Sequence, residues 1–347
     1  MLTSLQHLLI ALIRASISSK DSMPELHSLS AARWRALYRL AAEQGVVGLL
    51  YPIVKTAFAS GNVPKEIIYG WTLSAERIEQ NYQTIMQSTE HLISLYTSEG
   101  ISTLLLKGTM LARYYPCPSL REFGDVDIYL GGDYDRGNQI ALAHGAVMAP
   151  DHQTAKHSAF TFDGVVFENH RTLLDLRGRT SRRLEQMLVD ELQGTKPQIG
   201  ESIVPSSLFN ILFVLRHTAT HFAWGVPLRH ICDWGLLLYN EGAQVDLARL
   251  RNQLARVGML KIYNAFTRAA EHVTGVSLEA YLLGDTGCDK ADCIVEDCFF
   301  TYNRANRPRS IAQKMHRMWQ MRWKYRALLP DSYLRAWLHA ITYRLEH

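Results

Sequence analysis

The sequence predicts a mixed α/β protein in which a small mixed β-sheet is embedded in helices. Two observations predict it. Residues 1 to about 98, and again the chain from Ser206 onward, repeat their apolar positions at helical spacing. Between them, short runs alternate apolar and polar residues with the period of a strand. The chain has 347 residues, 47% of them hydrophobic and 20% charged, enough for one large or two modest domains. The patterning divides it into a helical subdomain (1–98), a sheet-bearing core (99–200) and a helical C-terminal domain (201–344). Leu345-Glu346-His347 reads as an expression-tag scar.

Composition narrows the setting. Five cysteines, an odd number in a chain this long, give no disulfide framework, so a reducing cytoplasm is expected. Cys288, Cys293 and Cys298 recur every five residues, which is not a zinc spacing, and read as buried thiols. Leu8–Ile13 lacks a preceding basic cluster and reads as a core or amphipathic helix, not a signal peptide. No run approaches the roughly 18 apolar residues of a membrane span. The net charge of +4 is concentrated late in the chain.

Taken in order, Ala31–Ala42 and Ser74–Tyr96 read as helices, the second closed by Gly100 as a C-cap. Ile101–Leu106 is a short apolar strand broken at Gly108. Thr109–Tyr115 reads as one or two helical turns, ended by Pro116 and Pro118. A glycine turn entering a helix offers backbone N–H groups to an anion, with Lys107 as an added point charge. In Gly124–Leu130, Val126, Ile128 and Leu130 alternate with Asp125, Asp127 and Tyr129, so two aspartates share one strand face. Hard cations such as Mg²⁺ take one or two carboxylates plus substrate phosphates, so this pair suggests metal-assisted phosphoryl or nucleotidyl transfer. Arg121 either contacts a triphosphate or pairs with Glu122 or Asp133.

Asp133–His144 reads as a helix and Ala146–Met148 as a short strand. Ser158–Phe162 and Val165–Asn169 flank Asp163-Gly164, a hairpin signal. Val165, Phe167 and Asn169 fall on one face; Val166, Glu168 and His170 fall on the other. A glutamate in such a strand costs free energy unless paired or bound to metal, so Glu168 is the candidate third carboxylate, with Asp163 or Asp175 as alternatives. His170 either lines the site or is structural. Leu173–Arg183, which with Arg171 just before it holds five arginines, reads as a solvated basic connection or a surface meeting an anionic substrate. His217 and His221 lie four apart on one face of the helix starting at Ser206. Arg229 and Asp233 follow at the same spacing; the four are either substrate contacts or a buried polar network. Residues 245–303 continue as helices, interrupted near Gly284–Gly287. From Asn303, basic residues alternate with Met and Trp. They form either a nucleic-acid or membrane surface or, as the commoner case, a helix with its Met/Trp side packed and its basic side in water.

One stretch carries a resemblance. L-L-K-G-T-x-L-A-x-Y-Y-P-x-P-x-x-R-x-x-G-D-V-D-I-Y-L, residues 105–130, resembles the core motif of the uncharacterised bacterial nucleotidyltransferase family of the polymerase-β-type superfamily. Gly108-Thr109 matches the turn, with threonine for the usual serine and a longer gap to the acidic pair. Asp125 and Asp127 match the pair, and Glu168 the third carboxylate. The resemblance covers roughly residues 100 to 240. It implies a nucleotidyltransferase core holding Mg²⁺ or Mn²⁺ on Asp125, Asp127 and Glu168, with Lys107, Gly108, Thr109 and Arg121 on the nucleotide. It also implies a nucleoside triphosphate donor, ATP expected, and an acceptor that the sequence leaves open: small molecule, sugar, protein or RNA end. His170, His217, His221, Arg229 and Asp233 are candidate substrate contacts. The alternatives are a nucleotide-binding protein without turnover, or a nucleic-acid-binding factor led by the basic C-terminal helix.

Overall fold

The computed structural model describes residues 1–18, 24–27, 29–61, 63–149, 153–176, 178–194, 202–285, 289–301 and 310–334. The helices are α1 (Ser4–Ile17), α2 (Ala31–Glu43), α3 (Val47–Ala59), α4 (Lys65–Ser98), α5 (Gly108–Ala112), α6 (Tyr134–Ala143), α7 (Arg179–Gln193), α8 (Ser207–Phe222), α9 (Leu228–Glu241), α10 (Leu247–Arg256), α11 (Leu260–Thr274), α12 (Ala291–Thr301), α13 (Ile311–Gln320) and α14 (Arg322–Ala327). The strands are β1 (Thr103–Leu106), β2 (Val126–Tyr129), β3 (Val147–Met148), β4 (His157–Phe162), β5 (Val165–His170) and β6 (Ser202–Ile203). This is the mixed α/β fold that the patterning predicts. It divides into two compact units. A sheet unit comprises Glu25–Arg35 and Val46–Phe213; a helical unit comprises Met1–Pro24, Ala36–Gly45 and Val214–His347. Both are discontinuous, where the patterning suggested three consecutive blocks.

In the sheet unit the strand order is β3-β4-β5-β2-β1-β6. β2 runs parallel to β5 and β1 parallel to β6; the remaining pairs are antiparallel. Strand alternation gives the sheet two chemical faces. Val126, Ile128, Phe160, Phe162, Val165 and Phe167 bury one face against Ile85, Leu92 and Tyr96 of α4. Asp127, Glu168 and His170 point from the other. The hairpin between β4 and β5 turns on Asp163-Gly164, both at positive φ (47° and 77°), as a two-residue turn requires. Asn169 is buried on the core face, where its side-chain amide donates to Tyr134 O and Asn138 Oδ1, tying α6 to β5. Gly137 lets α6 pack closely on Leu130: a Cβ there would fall 2.1 Å from Leu130 Cδ1.

Helix α4 runs longer than the Ser74–Tyr96 segment, and Gly100 (φ 73°) ends it as expected. The turn after Lys107 is shorter than read. α5 stops at Ala112, and Pro118–Leu120 follows as one 3₁₀ turn. The basic connection also needs correction, because α7 begins inside it at Arg179. Its Leu184 and Leu188, four apart, are buried while the arginines face outward, a helical pattern that the charge density hides.

The helical unit is built around α9 and α11, with Trp234, Tyr263, Phe222 and Phe266 fully buried. Gln44, fully buried, donates to Cys298 O and accepts from Leu228 N, satisfying an orphan donor at the start of α9. At the C-terminus the expected sides are partly exchanged. Met315 and Trp319 are exposed, whereas Lys324 is 0% exposed and bonded to Asp297 Oδ2 at 2.6 Å. A lysine interior to its helix bundle needs a carboxylate partner from elsewhere in the chain, and α12 supplies it. Arg304, Arg307 and Arg309 of the basic run lie outside the described residues, as does Cys288. Of the other expected buried thiols, Cys298 is buried and Cys293 half-buried. Among the described residues, no helix is long and apolar enough to cross a membrane.

Candidate active site

Strand register builds the site. Asp127 on β2 lies opposite Glu168 on β5, and Tyr129 opposite His170. His157 on β4 lies opposite His170. Residues in register on neighbouring strands share a face, so Asp127 with Glu168 and His170 with His157 form a double row across three strands. Asp125 enters from the loop just before β2. Carboxylate oxygens of Asp125, Asp127 and Glu168 lie within 4.8 Å of one another.

Lys107 closes this row. It follows β1 and caps α5 at φ 52°, ψ −117°, one of two non-glycine residues at positive φ among the described residues. Such a conformation stores roughly 1–3 kcal/mol of strain. It sets the ammonium 2.6 Å from Asp127 Oδ1, with side-chain exposures of 12% and 3%. From the other side, the fully buried His170 places Nε2 2.9 Å from the same Oδ1 and donates to it. His170 therefore does not open onto solvent; it orients Asp127.

The charges shape one another. Burial alone would raise the Asp127 pKa, but Lys107 and His170 together outweigh it and hold the carboxyl well below the usual range. Glu168 is likewise lowered, burial being overcome by the His170 imidazole, with help from His157 and Lys107. Asp125 moves the opposite way. The protein crowding its inner side, and then the Asp127 charge, push its carboxyl up. Three acidic groups in one spot thus titrate at different pH, as expected when like charges share a site.

Two further residues join that the motif did not single out. Lys156 lies within electrostatic reach of Lys107, Asp127 and Glu168, and burial followed by Lys107 lowers its pKa. His157 Nδ1 stands 3.5 Å from Glu168 Oε2. The signal for His157 was present. A two-residue turn at Asp163-Gly164 fixes the hairpin register and pairs position 157 with 170.

Of the expected nucleotide contacts, Gly108, Thr109 and Arg121 gather beside Lys107. Arg121 is buried under Tyr115 and Phe123, and its Nη1 would meet a Cβ on Gly108 at 3.6 Å. Thr109 Oγ1 is buried with no hydrogen-bond partner among the described residues. Asp163 is not with the other carboxylates: it sits on the hairpin tip, 2.7 Å from His91 Nδ1. His217, His221, Arg229 and Asp233 belong to the helical unit. There the rings of His217, His221 and His230 cluster at centroid distances of 4.4–6.1 Å.

A profile of the family described as uncharacterised nucleotidyltransferase matches residues 30–275, well over half the chain and all of the strands that build this row. The chain belongs to that nucleotidyltransferase family. No curated protein and no solved structure gives a significant match. In this nucleotidyltransferase the three carboxylates offer oxygen donors alone, and the donor set fits a hard dication such as Mg²⁺ or Mn²⁺.

Proposed function

We propose that this protein transfers a nucleoside monophosphate from a nucleoside triphosphate, ATP foremost, to an acceptor and releases pyrophosphate, with a divalent cation on Asp125, Asp127 and Glu168. The observation that carries this reading is the convergence of those three carboxylates on one sheet face in a member of a nucleotidyltransferase family. The bound cation, Mg²⁺ or Mn²⁺, would neutralise phosphate charge and lower the pKa of an acceptor hydroxyl. The reaction forms a bond from the acceptor oxygen to the α-phosphorus and breaks the bond to the bridging oxygen of the leaving pyrophosphate.

The chain's own residues do the positioning. His170 holds Asp127 in one rotamer and one charge state. Lys107 and Lys156 would offer two ammonium groups to the β- and γ-phosphates, and Arg121 a planar guanidinium fork. Thr109 Oγ1 supplies an uncommitted hydroxyl at the same turn. α5 is a single turn, so phosphate binding rests on these side chains more than on its dipole. Catalysis is positioning and charge neutralisation, without a covalent protein intermediate. The expected compartment is the cytoplasm, where the donor is abundant and thiols stay reduced.

A nucleotide binder without turnover has one observation in its favour: Asp127 Oδ1 already has two partners, Lys107 and His170. The test separates the two readings. Pyrophosphate release is followed with each ribonucleoside triphosphate, Mg²⁺ or Mn²⁺ and a pooled metabolite and lysate acceptor mixture, wild type beside Asp127→Asn. Release by wild type, reduced on the order of 10³-fold in the variant, is expected. Nucleotide binding with no release identifies the binder, and neither binding nor release overturns both readings.

A further inference from the structure

Beside the all-oxygen cluster lies a second donor set of different chemistry. His157, Glu168 and His170 each offer one ligand atom, and these atoms lie within 4.8 Å of one another. His157 Nδ1 and His170 Nε2 stand 3.5 Å and 3.7 Å from the same Glu168 Oε2. Both distances are too long for hydrogen bonds. They are close to what a shared ion would impose: two ligands at about 2.0–2.1 Å from a tetrahedral ion stand about 3.4 Å apart. His157 Nδ1 is moreover buried with no hydrogen-bond partner among the described residues. A buried polar atom left in that state is destabilising unless something binds it.

We infer that His157, Glu168 and His170 form a binding site for a borderline transition-metal dication of the Zn²⁺ and Co²⁺ class, distinct from the all-oxygen cluster but sharing Glu168 with it. Two imidazoles and one carboxylate select such ions over Mg²⁺, which prefers oxygen alone. All three residues sit on paired strands, so the backbone holds the set before any ion arrives. An ion reaches it from the side of His157 and Glu168, whose side chains are 16% and 21% exposed, while His170 forms the floor. The ion takes the Nε2 lone pair of the ring's Nδ1–H tautomer, and Asp127 keeps Lys107 as its partner. His170 Nδ1 has no acceptor among the described residues. The site therefore lacks the outer-shell bond that normally strengthens a histidine ligand, and its affinity falls roughly 10–100-fold below that of a supported site. The inference stands on these three residues and does not require nucleotidyl transfer to be correct.

Visible absorption of Co²⁺ tests it. The full-length protein is stripped with chelator and titrated with Co²⁺ alone, without nucleotide. Wild type should take up one Co²⁺ per chain with d–d bands stronger than those of the hexaaqua ion, removed by Zn²⁺ and unaffected by a tenfold excess of Mg²⁺. Asp125→Asn should keep these bands. His157→Ala should lose them with its circular dichroism unchanged. His157→Cys should regain them together with a near-ultraviolet thiolate-to-cobalt band, which places the ion on residue 157 even if the alanine variant folds poorly. Absence of the bands in wild type, their persistence in His157→Ala, or their loss in Asp125→Asn would each overturn the inference. Mg²⁺-dependent pyrophosphate release, measured on the same stripped protein, reports separately on the proposed function.

Discussion

Lys107 with Asp127 in the sheet unit, and Lys324 with Asp297 in the helical unit, are the same chemical pair at the same distance, 2.6 Å. Their surroundings differ. Lys324 is closed in: its ammonium also donates to Phe222 O at 2.7 Å and lies 4.3 Å from the Phe222 ring centre. Asp297 accepts in addition from Thr301 Oγ1. Here burial dominates, raising Asp297 and lowering Lys324 despite their contact. At Asp127 the balance reverses, because the Lys107 ammonium and the His170 N–H both act on one carboxylate. Asp125 and Glu168 add further negative charge beside Lys107. A pair that satisfies itself is structural; a pair set among surplus carboxylates still has something to bind.

Breaking each pair should expose the contrast. The largest effect is expected at the structural pair. Lys324→Met leaves Asp297 buried and uncompensated, at a cost of about 3–5 kcal/mol. Adding Asp297→Leu should recover most of that loss, because an apolar pair of similar volume replaces the buried charges. Urea unfolding of the single and double variants measures both; equal destabilisation of the two would mean that the pair is not what Lys324 contributes.

Lys107→Met should act mainly on function. Asp127 retains His170, so the loss of stability should be well below that of Lys324→Met. Triphosphate affinity should fall by about 10- to 100-fold, the worth of one charged hydrogen bond. Calorimetric titration with a non-hydrolysable triphosphate reads the affinity, and unchanged binding would remove Lys107 from the phosphate site.

The smallest effect is a slope. Asp297 has its pKa raised in the folded state, so the folded protein holds that proton more firmly than the unfolded chain. Its contribution to stability is therefore present below the ordinary aspartate range and lost as pH rises through the raised value. Wild type should lose stability relative to Asp297→Asn across that window, as followed by urea midpoints at successive pH values. A difference that stays flat, or that rises with pH, would show the carboxyl is not raised.

Much of the site was legible because strands write their faces into sequence. Asp125 and Asp127 among Val126, Ile128 and Leu130, and Glu168 beside Phe167, declare which side faces the core. The short Asp-Gly turn declares the hairpin register. Lys156 was not legible, since nothing local distinguishes a lysine before a strand from a solvated one. Nor was α7, whose arginines masked two buried leucines. Trp319 and Lys324 exchanged their expected environments because helical periodicity shows that a face exists, not which of two faces meets protein.

The sequence by itself determined the mixed α/β class, the apolar and acidic faces of β2 and β5, and the glycine stops at Gly100 and Gly164. Each depends on one residue's conformational range or on side-chain alternation, both local properties of the chain. Only the tertiary structure decided that β2 lies beside β5, which sets Asp127 opposite Glu168. It also decided that Lys107 and His170 meet on one carboxylate oxygen, and that Lys324 finds Asp297 from a different helix. Pairings between residues 20 to 43 positions apart follow from which strands and helices bury their apolar faces together, and no local pattern records that choice.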